Sequence, residues 1–190
     1  MQLLPGSMIK MKSSLVGFLL LVFLGACKNE GEEGVTHRKG KNDIEVNIYK
    51  SADSMMAAFK RQDWEKYVQY NHPAMMQMMG GSANFVSFIK EQMKHIPDTA
   101  IQTIGVGEIL QVVKTDSDYQ SIVEQNMHMR MDGIDINTTT YLIGESLDEG
   151  KTWTFFDASS SGLVTPKDIK PNISPELKIP TIKKEVKQLQ

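Results

Sequence analysis

The sequence predicts an α+β domain: three N-terminal helices packed on a curved antiparallel sheet. Three observations carry this expectation. Between Asp43 and His95, apolar residues recur at spacings of three and four, the period of an amphipathic helix. Between Ala100 and Ser159, that pattern gives way to β-branched, alternating runs bounded by turn residues. Asp132-Gly133, set between two such runs, is the dipeptide of a two-residue hairpin.

In the first helical stretch Ile44, Ile48, Ala52, Met55 and Phe59 make one stripe. Asp63 is placed to cap a second helix with Trp64, Tyr67 and Val68 on one face, and His72-Pro73 ends it. Pro73 can open a short helical piece, Ala74 to Met79, which Gly80-Gly81 stops. Ser82 is expected to cap a third helix whose Phe85, Phe88, Ile89 and Met93 share a face, and Pro97 closes the helical half.

The strand half begins with Ile101 to Lys114, where Gly105 and Gly107 suggest a bend or bulge. Tyr119 to Met131 and Ile134 to Leu147 form the hairpin, and Lys151 to Asp157 is a fourth strand. With Asp132-Gly133 as the loop, Met131 faces Ile134, Met129 faces Ile136, Met127 faces Thr138 and Val123 faces Leu142. The opposite face pairs Arg130 with Asp135, His128 with Asn137 and Glu124 with Tyr141. The helices are expected on the apolar face, and the polar face toward solvent or a partner subunit. Residues 161–190 carry Pro166, Pro171, Pro175 and Pro180 and read as an extended arm. In it Leu177-Lys178-Ile179 is the candidate edge strand, and Lys183 to Gln190 is expected to fray.

The N-terminus has the layout of a secretory signal. Lys10 and Lys12 precede an apolar run from Leu15 to Leu24, too short to span a bilayer, and Gly25-Ala26 are small; Met1, Met8 and Met11 are alternative starts. Leu24-Gly25-Ala26-Cys27 resembles the lipobox of bacterial lipoproteins. The resemblance implies cleavage after residue 26 and acylation of Cys27, the single cysteine of the chain. A lipid on Cys27 would then be the link to a membrane, with residues 27–42 as a tether containing little to bury. The acidic cluster Glu30-Gly31-Glu32-Glu33 resembles the export signal of Bacteroidota lipoproteins sent to the outer face of the outer membrane; a merely solvated tether is the alternative. The expected location is the cell envelope.

Residues 43–160 form the expected domain. Their element order is similar to the nuclear transport factor 2-like (SnoaL-like) superfamily. Tyr70-Asn71-His72-Pro73, Gly80-Gly81 and Lys151 to Asp157 resemble uncharacterised members among Bacteroidota lipoproteins. That likeness implies a pocket between helices and concave sheet, serving isomerases, dehydratases or hydrolases in some members and ligand or partner binding in others. Ser146-Leu147-Asp148-Glu149-Gly150-Lys151-Thr152-Trp153 also resembles the Asp-box of sialidase propellers. A propeller needs several repeats, so one copy is read as a well-made turn.

The formal charge is −2, and −4 once the lysines at 10 and 12 leave with residues 1–26, so the chain offers no basic surface for nucleic acid. No two histidines share ligand spacing with a carboxylate, so neither a metal nor a cofactor is expected. The 13 methionines, among them Met75, Met76, Met78 and Met79, read as adaptable core filler, with copper(I) ligation as the minor alternative. Asp157 and His72 are the catalytic candidates. Trp64, Tyr67, Met127, Met129, Trp153 and Phe155 are the candidate pocket lining. Three functions remain open at this point: binding of a small apolar ligand or protein partner, a pocket enzyme, and a structural homodimer.

Overall fold

A computed structural model describes residues 40–159 and 164–189. The signal segment, Cys27 and the tether as far as residue 39 lie outside these described residues. No helix among them is long and apolar enough to cross a membrane.

The fold is α+β. Its helical half holds four helices where the apolar spacing predicts three: α1 Asp43–Lys60, α2 Trp64–Gln69, α3 Pro73–Met78 and α4 Ser82–Met93. The short piece after Pro73 is a helix in its own right because His72 caps it, its Nδ1 accepting the Ala74 amide at 3.2 Å. Asp63 caps α2 as expected, accepting the Lys66 amide at 3.1 Å. Ser82, by contrast, is not a cap. Gly81, at φ 114°, holds that position, and the Ser82 hydroxyl donates to the Met76 sulfur at 3.3 Å.

A curved antiparallel sheet follows: β1 Ile101–Lys114, β2 Tyr119–Met131, β3 Ile134–Ser146, β4 Thr154–Asp157 and β5 Lys183–Gln188. Register shifts interrupt β1 against β2 across Gly107, between Val106 and Ile109, where the glycines suggested a bulge, and also between Ile109 and Gln111 and between Ile101 and Thr103. The β2–β3 register is the derived one at every pair, from Met131 opposite Ile134 to Val123 opposite Leu142. Asp132 and Gly133 turn the chain at φ 52° and 74°. One half of the far edge of β3 is paired by β4, the other by β5. This corrects the reading of the last residues. Lys183–Gln188 is a strand, not a frayed end, and Leu177–Ile179 docks beside β1 without forming one: Gln111 accepts the Lys178 amide at 2.9 Å.

The core lies between the helices and the methionine-bearing face of the hairpin. Ile48, Met55, Phe59, Ile89, Val123 and Phe155 are all buried there. Phe59, Trp64 and Tyr67 meet edge-to-face at 5.5–6.3 Å, locking α1 to α2. Met127 and Met129 are buried on this face, while Arg130, opposite, is exposed.

The outer face is only half open, which corrects the expectation of a polar face turned wholly to solvent or a partner. Near the start of β2 it carries Ile122, Tyr141, Ile143 and Phe156, all buried. The C-terminal arm, with the short helix α5 Pro166–Ile169, covers this half and buries Ile169 and Leu177 with it. Strict alternation fails here because both faces find an apolar partner.

Candidate functional site

Asp157 ends β4 opposite Leu142, so it points to the helix side. Its Oδ1 accepts the Ser159 amide at 2.6 Å and the Ser159 hydroxyl, while Oδ2 is buried with no hydrogen-bond partner. Burial pushes this carboxyl above the ordinary aspartate range, and the Ser159 bonds oppose the shift only in part. Tyr67 lies near it. Burial first, and then the Asp157 charge, raise the phenol well above its usual value.

His72 is on the other side of the sheet. Residues 70–72 run along the free edge of β4: Phe155 donates to Tyr70 O at 2.7 Å and His72 to Phe155 O at 2.8 Å. The imidazole then packs edge-on against Phe156, 5.4 Å between ring centres, and reaches Glu145 Oε2 at 2.8 Å. Since Nδ1 accepts the Ala74 amide, Nε2 carries the proton donated to Glu145. The structure therefore does not bring the two catalytic candidates together. The sheet separates them.

His72 instead belongs to a buried ionic cluster that pattern reading missed. Lys170, which follows α5 and is 2% exposed, donates to Asp118 Oδ2 at 2.6 Å, to Glu145 and to Asn172 Oδ1 at 3.1 Å. Gln120 and Thr115 add donors to Asp118. Burial by itself would raise the Asp118 carboxyl, but the bonds from Lys170, Thr115 and Gln120 outweigh it and hold it below its ordinary value. Glu145 is also lowered, by His72 first and then, against burial, by Lys170. Every charge here has a partner, so the cluster clamps the arm and offers no free nucleophile. No local pattern in the arm marks it, because Lys170 is one of several lysines there and its partners Asp118 and Glu145 lie far back in the chain.

A second cluster sits on the open half of the outer face. Asp135 accepts His128 Nε2 at 3.0 Å on both oxygens and Arg130 at 2.8 and 3.0 Å. His128 and then Arg130 hold its carboxyl below the usual range. The Asp-box segment is architectural, as read. Asp148 accepts the Thr152 and Lys151 amides at 2.9 and 3.1 Å and the Ser146 and Thr152 hydroxyls at 2.8 and 2.7 Å. These bonds, the Thr152 amide foremost, lower its pKa to about 2. Gly150 turns at φ 81° and Trp153 Nε1 donates to its carbonyl at 3.1 Å.

The candidate pocket residues Trp64, Tyr67, Met129, Trp153 and Phe155 are packed into the core, each 7% exposed or less. Met127 borders a groove of about 280 Å³ across β1, β2, β3 and β5. A larger groove, about 730 Å³, lies between α2, α3 and α4. Val68, Met76, Ala83 and Val86 line it, with Gln69, Ser82 and the Glu65–Lys90 ion pair (2.9 Å) at its polar side. Among the described residues no group of three His, Cys, Asp or Glu is placed to hold a metal ion. No family model matches this chain, and no curated protein or solved structure does.

Proposed function

We propose that this chain is an exported lipoprotein, held at the cell envelope by lipid on Cys27, whose folded part binds a small apolar molecule. The observation that carries the binding reading is the α2–α3–α4 groove. Its volume of about 730 Å³ falls within the roughly 300–1,000 Å³ typical of small-molecule sites. Its apolar residues come from three different helices; Val68 and Val86 form a nearly buried floor, and a ligand there would cover the more open Met76 and Ala83. A nuclear transport factor 2-like cone is the finer reading of the fold. A helical half joined through α1 to a curved sheet supports it, with the interior filled by core side chains such as Val123, Met129 and Phe155.

The test uses residues 28–190 and the neutral fluorophore N-phenyl-1-naphthylamine. Its emission should rise on binding, and Ala83→Arg, which puts a charge into the groove at an exposed position, should abolish the rise with unchanged circular dichroism. Equal binding by the variant, or none by the parent, would remove the groove. Membrane attachment is checked separately: Cys27→Ser should move the chain from the membrane to the soluble fraction.

A second reading has one specific observation in its favour. The buried, unpartnered Oδ2 of Asp157 beside Tyr67 is the arrangement of a general acid, its carboxyl raised above the ordinary aspartate range by burial. Catalysis would then rest on Asp157 without His72.

A further inference from the structure

The open half of the outer sheet face carries a polar grid. Thr103, His128, Asn137 and Glu185 form one row across β1, β2, β3 and β5. Asn126, Thr139 and Lys183 form the next. Directly opposed residues share a face, so these side chains stand together, and they line the groove of about 280 Å³. The geometry points to a binding site for a neutral, hydroxyl-rich small molecule, such as one sugar ring, with His128 at its centre.

His128 is the group that separates a site from a plain ion cluster. Asp135 is ionised and can only accept, so the two 3.0 Å contacts fix the proton on Nε2 and set the ring plane. Arg130 in turn anchors Asp135. Nδ1 is left with no partner among the described residues, on a residue that borders the groove. A histidine oriented from behind by a carboxylate, with its other nitrogen offered to a cavity, is preorganised for a ligand before one arrives.

The rest of the lining selects the ligand's chemistry. The Thr139 hydroxyl donates to Asn126 Oδ1 at 2.7 Å, so both are held in place. Lys183 and Glu185 have no ion-pair partner among the described residues and bring one charge of each sign. Just outside the lining, Asp135 faces Lys187 as well as Arg130 on the same sheet face. The lining's own charges, Lys183 and Glu185, balance, which favours a neutral occupant over an anion. Met127 is the one apolar residue of the lining, which disfavours an apolar occupant. A hydroxyl both donates and accepts, so a molecule bearing several can satisfy this mixture of amide, hydroxyl, ammonium, carboxylate and imidazole groups. This site lies on the sheet face away from the helix groove and stands or falls independently of it.

The test is titration calorimetry of the full chain, solubilised in a detergent without a sugar headgroup. The probes are glucose, galactose, mannose and N-acetylglucosamine, with inorganic phosphate as a separate arm. At least one sugar should bind with a Kd on the order of 1 mM or tighter, the strength a few hydrogen bonds supply. His128→Ala should weaken it tenfold or more. Thr103→Val does not touch the Asp135 cluster and so leaves the hairpin's ion pairs intact; it should weaken binding several-fold at an unchanged melting temperature. No heat with any of the four sugars at about 100 mM, binding of phosphate in their place, or sugar binding that survives both substitutions would overturn the proposal.

Discussion

Replacing Lys170 by methionine keeps the length and bulk of the side chain and deletes the ammonium that Asp118 and Glu145 share. Two carboxylates are then left beneath the arm without a cation. Breaking a buried pair from one side costs about 3–5 kcal/mol, because the surviving charge has lost both water and partner. Asp118 keeps its bonds to Thr115 and Gln120, and Glu145 keeps His72, which places the expected loss near the lower end, about 3 kcal/mol. With a urea m-value of about 1–3 kcal/mol/M, the midpoint should fall by roughly 1–3 M. The melting temperature should drop by roughly 6–12 °C for a chain of this size. The pH dependence supplies a stricter check. Both carboxyls sit below their ordinary values in the folded protein, so their contribution is present above about pH 4.5 and is lost as pH falls through their folded values. In the variant, protonation instead relieves an unpaired charge. The difference between parent and variant should therefore shrink between pH 7 and about pH 4, and Glu145→Gln added to the variant should recover part of the loss. A loss under about 1 kcal/mol, or one that stays constant over that pH range, would refute the reasoning.

Asp157 should behave in the opposite sense. Its folded pKa is raised, so the folded state disfavours the charged form and stability declines as pH rises above the unfolded value of about 3.9; Asp157→Asn should raise the melting temperature at pH 7 and change it little at pH 4. Asp148→Ala, measured by acid unfolding, should remove a stabilisation that in the parent is full above about pH 3.9 and fades as pH approaches 2. Gly144→Ala would place a methyl 2.4 Å from Ser121 Oγ and 2.9 Å from the Phe155 ring; chemical denaturation should show a loss of about 1–3 kcal/mol.

Much of the fold was legible along the chain because its information is local. Periods of three-to-four and of two mark helices and strands. One Asp-Gly turn sets the pairing of twenty-six strand residues, since a slip by one would carry Met127 and Met129 out of the core. The Asp-box turn was equally readable: each donor lies within four residues of the acceptor Asp148.

The candidate sites were less so. Asp157 and His72 were both named as catalytic candidates, but His72 could not be assigned to the outer face until the bridge of Asn71 to Phe155 was seen. Strand β5 was missed because backbone ladder bonds do not depend on side chains, and all six of its residues are exposed, leaving no apolar alternation to detect. Lys170 was missed because its partner Asp118 lies 52 residues earlier, and lysine is almost never fully buried unless paired. By itself, then, the sequence determined the secondary elements as far as β4, the hairpin register and which hairpin face the helices cover. The tertiary structure alone decided where the arm lies, which charges it buries and which half of the outer face stays open. Those outcomes depend on groups far apart in the chain meeting at one place, and no local periodicity records such a meeting.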